Sequence, residues 1–188
     1  MPESSLDAIR ERTKSVHAEL ETVIDERGLL NSLSGAIVHL STLLFHHRRV
    51  ARYIEHPGLH ALVLDRVEEL EFDLARLSGH AMAEVAGSNE AALSLPGSLG
   101  AVYVIEGSRL GSMVVAKRLR NNGVPTEGLR SLGGDPQAVR ARWRSFAERL
   151  DTLPADTWQD AASAAYDSFT ELLESYQLLA RVPSPGDA

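Results

Sequence analysis

The chain has 188 residues, 44% of them apolar, and a formal net charge of -7. That length suits one domain with a proper core, and the apolar share is ordinary for a soluble globular protein, which argues against disorder. The acidic balance argues against a nucleic-acid binder. The lack of cysteine excludes disulfides, thiolate metal sites and cysteine catalysis. No apolar run reaches the roughly 18 residues of a membrane span. The opening MPESSLDAIRERTKS has no signal-peptide core, so the expected compartment is the cytoplasm.

Helical periodicity runs almost throughout, and no alternating β-branched run is bounded by turns. The first helix is predicted over 5–26, with Leu6, Ile9, Val16, Leu20, Val23 and Ile24 on one face. A break follows at 28–34. A second helix is predicted over 35–55, closed by HPG at 56–58, and its HHRR tract at 46–49 reads as a solvated face. A third covers 59–77 and a short one 80–85. A long helix opens near Pro96, a good first-turn residue, and ends at NNG, 121–123. Two more cover 136–150 and 154–179. The expectation is an all-α fold: one helical-bundle domain over 1–182, with a frayed tail at 183–188.

The long helix contains Gly100, Gly107 and Gly111. Each costs about 0.8–1 kcal/mol against Ala in a helix interior. At ~100° per residue the three share a strip roughly 40° wide. A neighbouring helix packed close would explain the strip, as in small-xxx-small faces. So would a flat, rigid ligand such as a tetrapyrrole lying across the helix. Glycines also permit a kink over such a ligand.

A tetrapyrrole iron takes an axial ligand, usually histidine. His56 and His60 flank a turn, His80 follows a Ser-Gly break, and His39, His46 and His47 lie on the second helix. His17 falls within the apolar stripe of the first helix. A core histidine bonded to a carbonyl or carboxylate would explain it. Alternatively Glu21, one turn on, takes the Nδ1 proton and leaves Nε2 for a metal. Lys14 borders the same face. Arg140 and Arg144, one turn apart, form either an exposed basic face or a carboxylate grip.

RTKSVHAELE at 12–21 resembles the proximal-helix motif of the haem oxygenases, and GAVYVIEGSRLGSMVVAKRL at 100–119 resembles their distal helix. The similarity is greatest to the bacterial, biliverdin-producing branch associated with bacteriophytochromes. WRSFAERLDTLP at 143–154 and AYDSFTELLESYQ at 165–177 look like the family's last two helices, so nearly the whole chain is covered.

The resemblance implies haem held between a proximal and a kinked distal helix. His17 matches the axial iron ligand and Glu21 its partner. Gly107 and Gly111 match the distal glycines, with Ser108 beside them. Lys14, Arg140 and Arg144 fall near positions that meet propionates. Tyr103 and Phe169 help enclose the pocket. The implied reaction uses O2 and external electrons to open haem, both cofactor and substrate, to biliverdin, CO and ferrous iron. A ferredoxin or flavoprotein would supply electrons, and a phytochrome is a possible biliverdin acceptor. Ser108 replaces the aspartate of the mammalian branch, as in bacterial relatives, and Ser112 stands where glycine is common. A haem-storing, sensing or delivering protein of the same fold is the alternative. A di-iron carboxylate site is disfavoured, because no glutamate is followed three residues later by histidine.

Overall fold

The computed structural model describes residues 2–79 and 91–179. The predicted helix at 80–85, His80 and the tail at 183–188 lie outside the described residues. Among the described residues six α-helices follow one another: α1 (Ser5–Glu26), α2 (Leu33–Ala51), α3 (Pro57–Ser78), α4 (Leu95–Asn121), α5 (Pro136–Asp151) and α6 (Trp158–Leu179), with a 3-10 turn at Ala155–Thr157 before α6. No strand occurs among the described residues, so the all-α expectation holds.

Local chemistry sets the boundaries. Ser4, Ser32 and Ser94 each accept a hydrogen bond from a backbone N–H in the first turn of α1, α2 and α4. Asp135 does the same for α5. These caps satisfy N–H groups with no partner inside the helix. Proline stands in the first turn of α3, α4 and α5, where its missing N–H costs nothing. The Ser32 cap starts α2 two residues before the predicted position. Pro57 holds His56 in extended backbone and opens the third helix two residues before the predicted 59, while the second helix ends at Ala51, short of the predicted 55.

α6 is the central packing element, lying against α1, α2 and α4. Ile9, Leu40, Leu99, Ile105 and Tyr176 are among the fully buried side chains around it. α4, at 27 residues, is long and apolar enough by composition to cross a membrane, but 56% of its most apolar stretch is buried within the fold, as in a core helix. Gly100 explains how close α4 and α6 lie: a Cβ there would stand 2.0 Å from the Ala161 carbonyl oxygen.

Candidate functional site

A cleft of about 570 Å3 opens between α1 and α4, with α2 and α6 behind it. The volume is within the usual range of small-molecule sites, about 300–1,000 Å3. Its α1 wall carries His17, Leu20, Glu21 and Ile24, one helical face. Its α4 wall carries Tyr103, Gly107, Ser108, Gly111 and Val114.

The glycine strip divides between the two explanations. Gly100 serves close helix packing against α6. A Cβ on Gly111 would meet nothing within 4 Å, and one on Gly107 would meet only Trp143 Cζ3, at 4.0 Å. Those two positions therefore expose backbone to the cleft. Val114 beside them is 72% exposed, an apolar side chain turned away from the core.

His17 is not the buried core histidine that one reading of its stripe allowed; its side chain is 51% exposed. The N-terminal part of α1 buries Ala8, Ile9 and Thr13, whereas from His17 onward the helix also lines the cleft. Glu21 Oε1 lies 3.7 Å from His17 Nδ1. The Phe169 ring meets the imidazole edge-on, with centroids 5.3 Å apart. A carboxylate on the Nδ1 side leaves Nε2 as the nitrogen for a metal.

A relative described as heme oxygenase PigA, from Pseudomonas aeruginosa PAO1, is 34% identical over 139 residues, spanning 70% of this chain and 67% of that one. The chain belongs to the heme oxygenase family. A solved structure of the NO- and CO-bound heme oxygenase from Neisseria meningitidis superposes with a TM-score of 0.76 at 21% identity, covering 99% of this chain and 98% of that one, which establishes the shared fold. No family model matches the chain.

The cleft fits the haem of a heme oxygenase. One wall offers an accessible imidazole, the other a glycine surface with no Cβ to hold a flat ring away, and the lining between is mostly apolar. The fold brings His17, Glu21, Tyr103, Gly107, Ser108, Gly111 and Phe169 to this cleft. Lys14, Arg140 and Arg144 are exposed and do not line it. Arg140 and Arg144 border a separate groove on α5 with Trp143 and Leu110, and only Leu110 is shared with the cleft. Among the described residues the arginine that lines the cleft is Arg118 on α4, paired with Asp25 of α1 across the two walls. Its spacing from the glycines gave no signal in the sequence.

The histidines of α2 correct a second expectation. HHRR is not a solvated face: His46 and His47 are buried, while Arg48 pairs with Glu71 and Arg49 with Glu171. The missed signal was periodic, since His39, Leu43, His46, His47 and Val50 recur at i, i+4, i+7, i+8 and i+11, a core-facing stripe. Burial lowers His39 and His46 to about 4, and pushes His47 well down, helped by neighbouring cations. His39 Nδ1 lies 2.7 Å from the Tyr176 hydroxyl oxygen at the back of the cleft, a hydrogen bond whose direction is set by the His39 tautomer. Burial also raises the Tyr103 hydroxyl, partly countered by Arg10.

Behind α4 runs a buried ionic network that sequence reasoning also missed. Glu69 pairs with Arg66 and Arg109, and Glu106, with its side chain 1% exposed, pairs with Arg142 of α5 at 2.9 Å. It secures the outer side of α4 and leaves the glycine side to the cleft.

Proposed function

We infer that this chain is a haem oxygenase that binds haem in the α1–α4 cleft and opens it to biliverdin, CO and ferrous iron. The observation that carries this reading is the placement of His17 on one wall of the cleft and bare glycine backbone on the other. Bound haem would supply the redox and oxygen chemistry, with O2 and external electrons as co-reactants.

The residues do the rest. His17 Nε2 would hold the haem iron, and Glu21, 3.7 Å from Nδ1, would favour the tautomer that leaves Nε2 free for it. Phe169 limits rotation of the imidazole by its edge-on contact. Gly107 and Gly111 leave room on the distal face that a side chain would fill. Ser108 supplies a hydroxyl beside them, already donating to the Ile105 carbonyl at 2.7 Å. Arg118 meets a propionate in exchange for Asp25. Lys14, Arg140 and Arg144 act at the edge, attracting the propionates rather than enclosing them. Electrons come from a ferredoxin or flavoprotein, and the biliverdin serves a phytochrome-type acceptor, as in the bacterial branch the motifs resemble. The site of action is the cytoplasm.

A hemin titration followed by absorption spectroscopy tests the assignment. Wild type should give a sharp Soret band, and His17→Ala should lose its native position, with recovery on adding imidazole. An unchanged spectrum in His17→Ala would remove His17 as the ligand.

A further inference from the structure

An unbroken line of hydrogen bonds leaves the cleft through the α2 histidines. Ser108 Oγ, on the cleft wall, lies 3.3 Å from His47 Nε2. His47 Nδ1 lies 3.1 Å from His46 Nδ1, and His46 Nε2 lies 3.0 Å from Ser168 Oγ. Ser168 in turn lines a second hollow of about 370 Å3 on another side of α6, beside Asp160, Asp167 and Glu171. Asp160 and Asp167 are exposed. We propose that His46 and His47 are a proton relay joining Ser108 in the haem cleft to Ser168 at this acidic hollow.

The pairing fits the task. Both imidazoles are buried, and adjacent Nδ1 atoms in contact require one ring to donate and the other to accept. Each neutral ring then has one N–H and one lone pair. Two arrangements satisfy the line, differing in which way the hydrogens point. In one, Ser168 donates to His46 Nε2, His46 Nδ1 donates to His47 Nδ1, and His47 Nε2 donates to Ser108. In the other, every donation is reversed.

Passage of one proton converts the first arrangement into the second. A proton from the hollow joins Ser168 Oγ as its own hydrogen moves to His46 Nε2. The Nδ1 hydrogen of His46 moves to His47 Nδ1, and the Nε2 hydrogen of His47 moves to Ser108 Oγ. The Ser108 hydroxyl, which donates to the Ile105 carbonyl at rest, turns toward the cleft and releases its hydrogen there. One proton enters, one departs, and no electron moves. The serine hydroxyls reset by rotation, whereas each ring regains its starting tautomer only by exchanging its N–H hydrogen with water, because turning an imidazole does not interchange its two nitrogens.

The charges around the pair keep it neutral between transfers. Arg49 on α2 faces His46, while Arg66 on α3 and Arg109 on α4 face His47. Glu69 pairs with both of those arginines, and Glu171 of α6 pairs with Arg49. Burial, the largest cause, together with these cations outweighs the hydrogen bond to Ser168 that favours protonation of His46, so a resident imidazolium is disfavoured.

Two measurements test the relay, whose catalytic use rests on the haem oxygenase reading. Imidazole 15N NMR of the haem-free protein should show His46 and His47 nitrogens between N–H and lone-pair values, because both tautomers are sampled. One fixed tautomer on each ring would overturn the relay. In the haem-loaded protein with ascorbate and catalase, Ser168→Ala and His46→Gln should keep the wild-type Soret band. They should slow biliverdin formation by roughly tenfold or more, the modest end of positioned proton transfer. Added imidazole should restore part of the rate. Wild-type rates in both variants would overturn the relay whatever the NMR shows. If wild type itself degrades no haem, the haem oxygenase reading fails, and the NMR result alone decides whether the line conducts protons.

Discussion

At the scale of single residues, three glycines of one strip have opposite roles. Gly100 is needed because a Cβ would drive into the Ala161 carbonyl. Gly111 is not needed for folding, since a Cβ there meets open space. Gly111→Ala should therefore stabilise the haem-free protein by about 1 kcal/mol through helix propensity, raising Tm by roughly 2–4 °C. Gly100→Ala should destabilise it by about 1–3 kcal/mol through overpacking. Thermal melts of the two variants would refute this division if both shifts had the same sign. The sequence placed the strip correctly but had no means of separating its parts, because the separation depends on where α6 crosses. His17 was legible as a candidate from its helical position and Glu21. Its exposure was not, because it depends on the cleft rather than on α1.

At the scale of elements, helix boundaries were the most legible feature, since serine caps and first-turn prolines act locally. The inward face of α2 was misread because HHRR joins two residue types with opposite destinations. Adjacent residues lie ~100° apart on a helix, so a charged-looking tetrapeptide can contribute both to the core and to the surface. The tie between α4 and α5 was invisible in sequence, because Glu106 and Arg142 are far apart in the chain. It is also testable. Burial alone would lower the Arg142 guanidinium, but its hydrogen bonds to Glu106 and Asp65 more than offset that. Glu106→Ala would leave Arg142 and Arg109 without this carboxylate. We expect a loss of about 3–5 kcal/mol, the usual result of breaking a buried pair, measured by urea unfolding. A loss below 1 kcal/mol would show that the network is incidental to the position of α4.

At the scale of the whole molecule, buried neutral histidines make stability depend on pH. His39 and His46 titrate near 4 in the folded state against 6.5 ordinarily, and His47 is also lowered. Between those values the unfolded chain binds more protons, so stability is complete above about 6.5 and is lost as pH falls toward 4. For the haem-free protein, His39 and His46 should each forfeit roughly 2 kcal/mol between pH 7 and pH 5. Urea unfolding at the two pH values checks this, and equal stabilities would contradict it.

The same molecule-wide arrangement, with an accessible imidazole and a bare glycine surface on opposite walls of one cleft, carries the central claim that the protein degrades haem. Its most direct test is to load purified protein with hemin, add ascorbate and an iron chelator under air with catalase present, and follow the absorption spectrum. The Soret band should decay while a broad red biliverdin band rises. A Soret band that forms and then persists would contradict the claim.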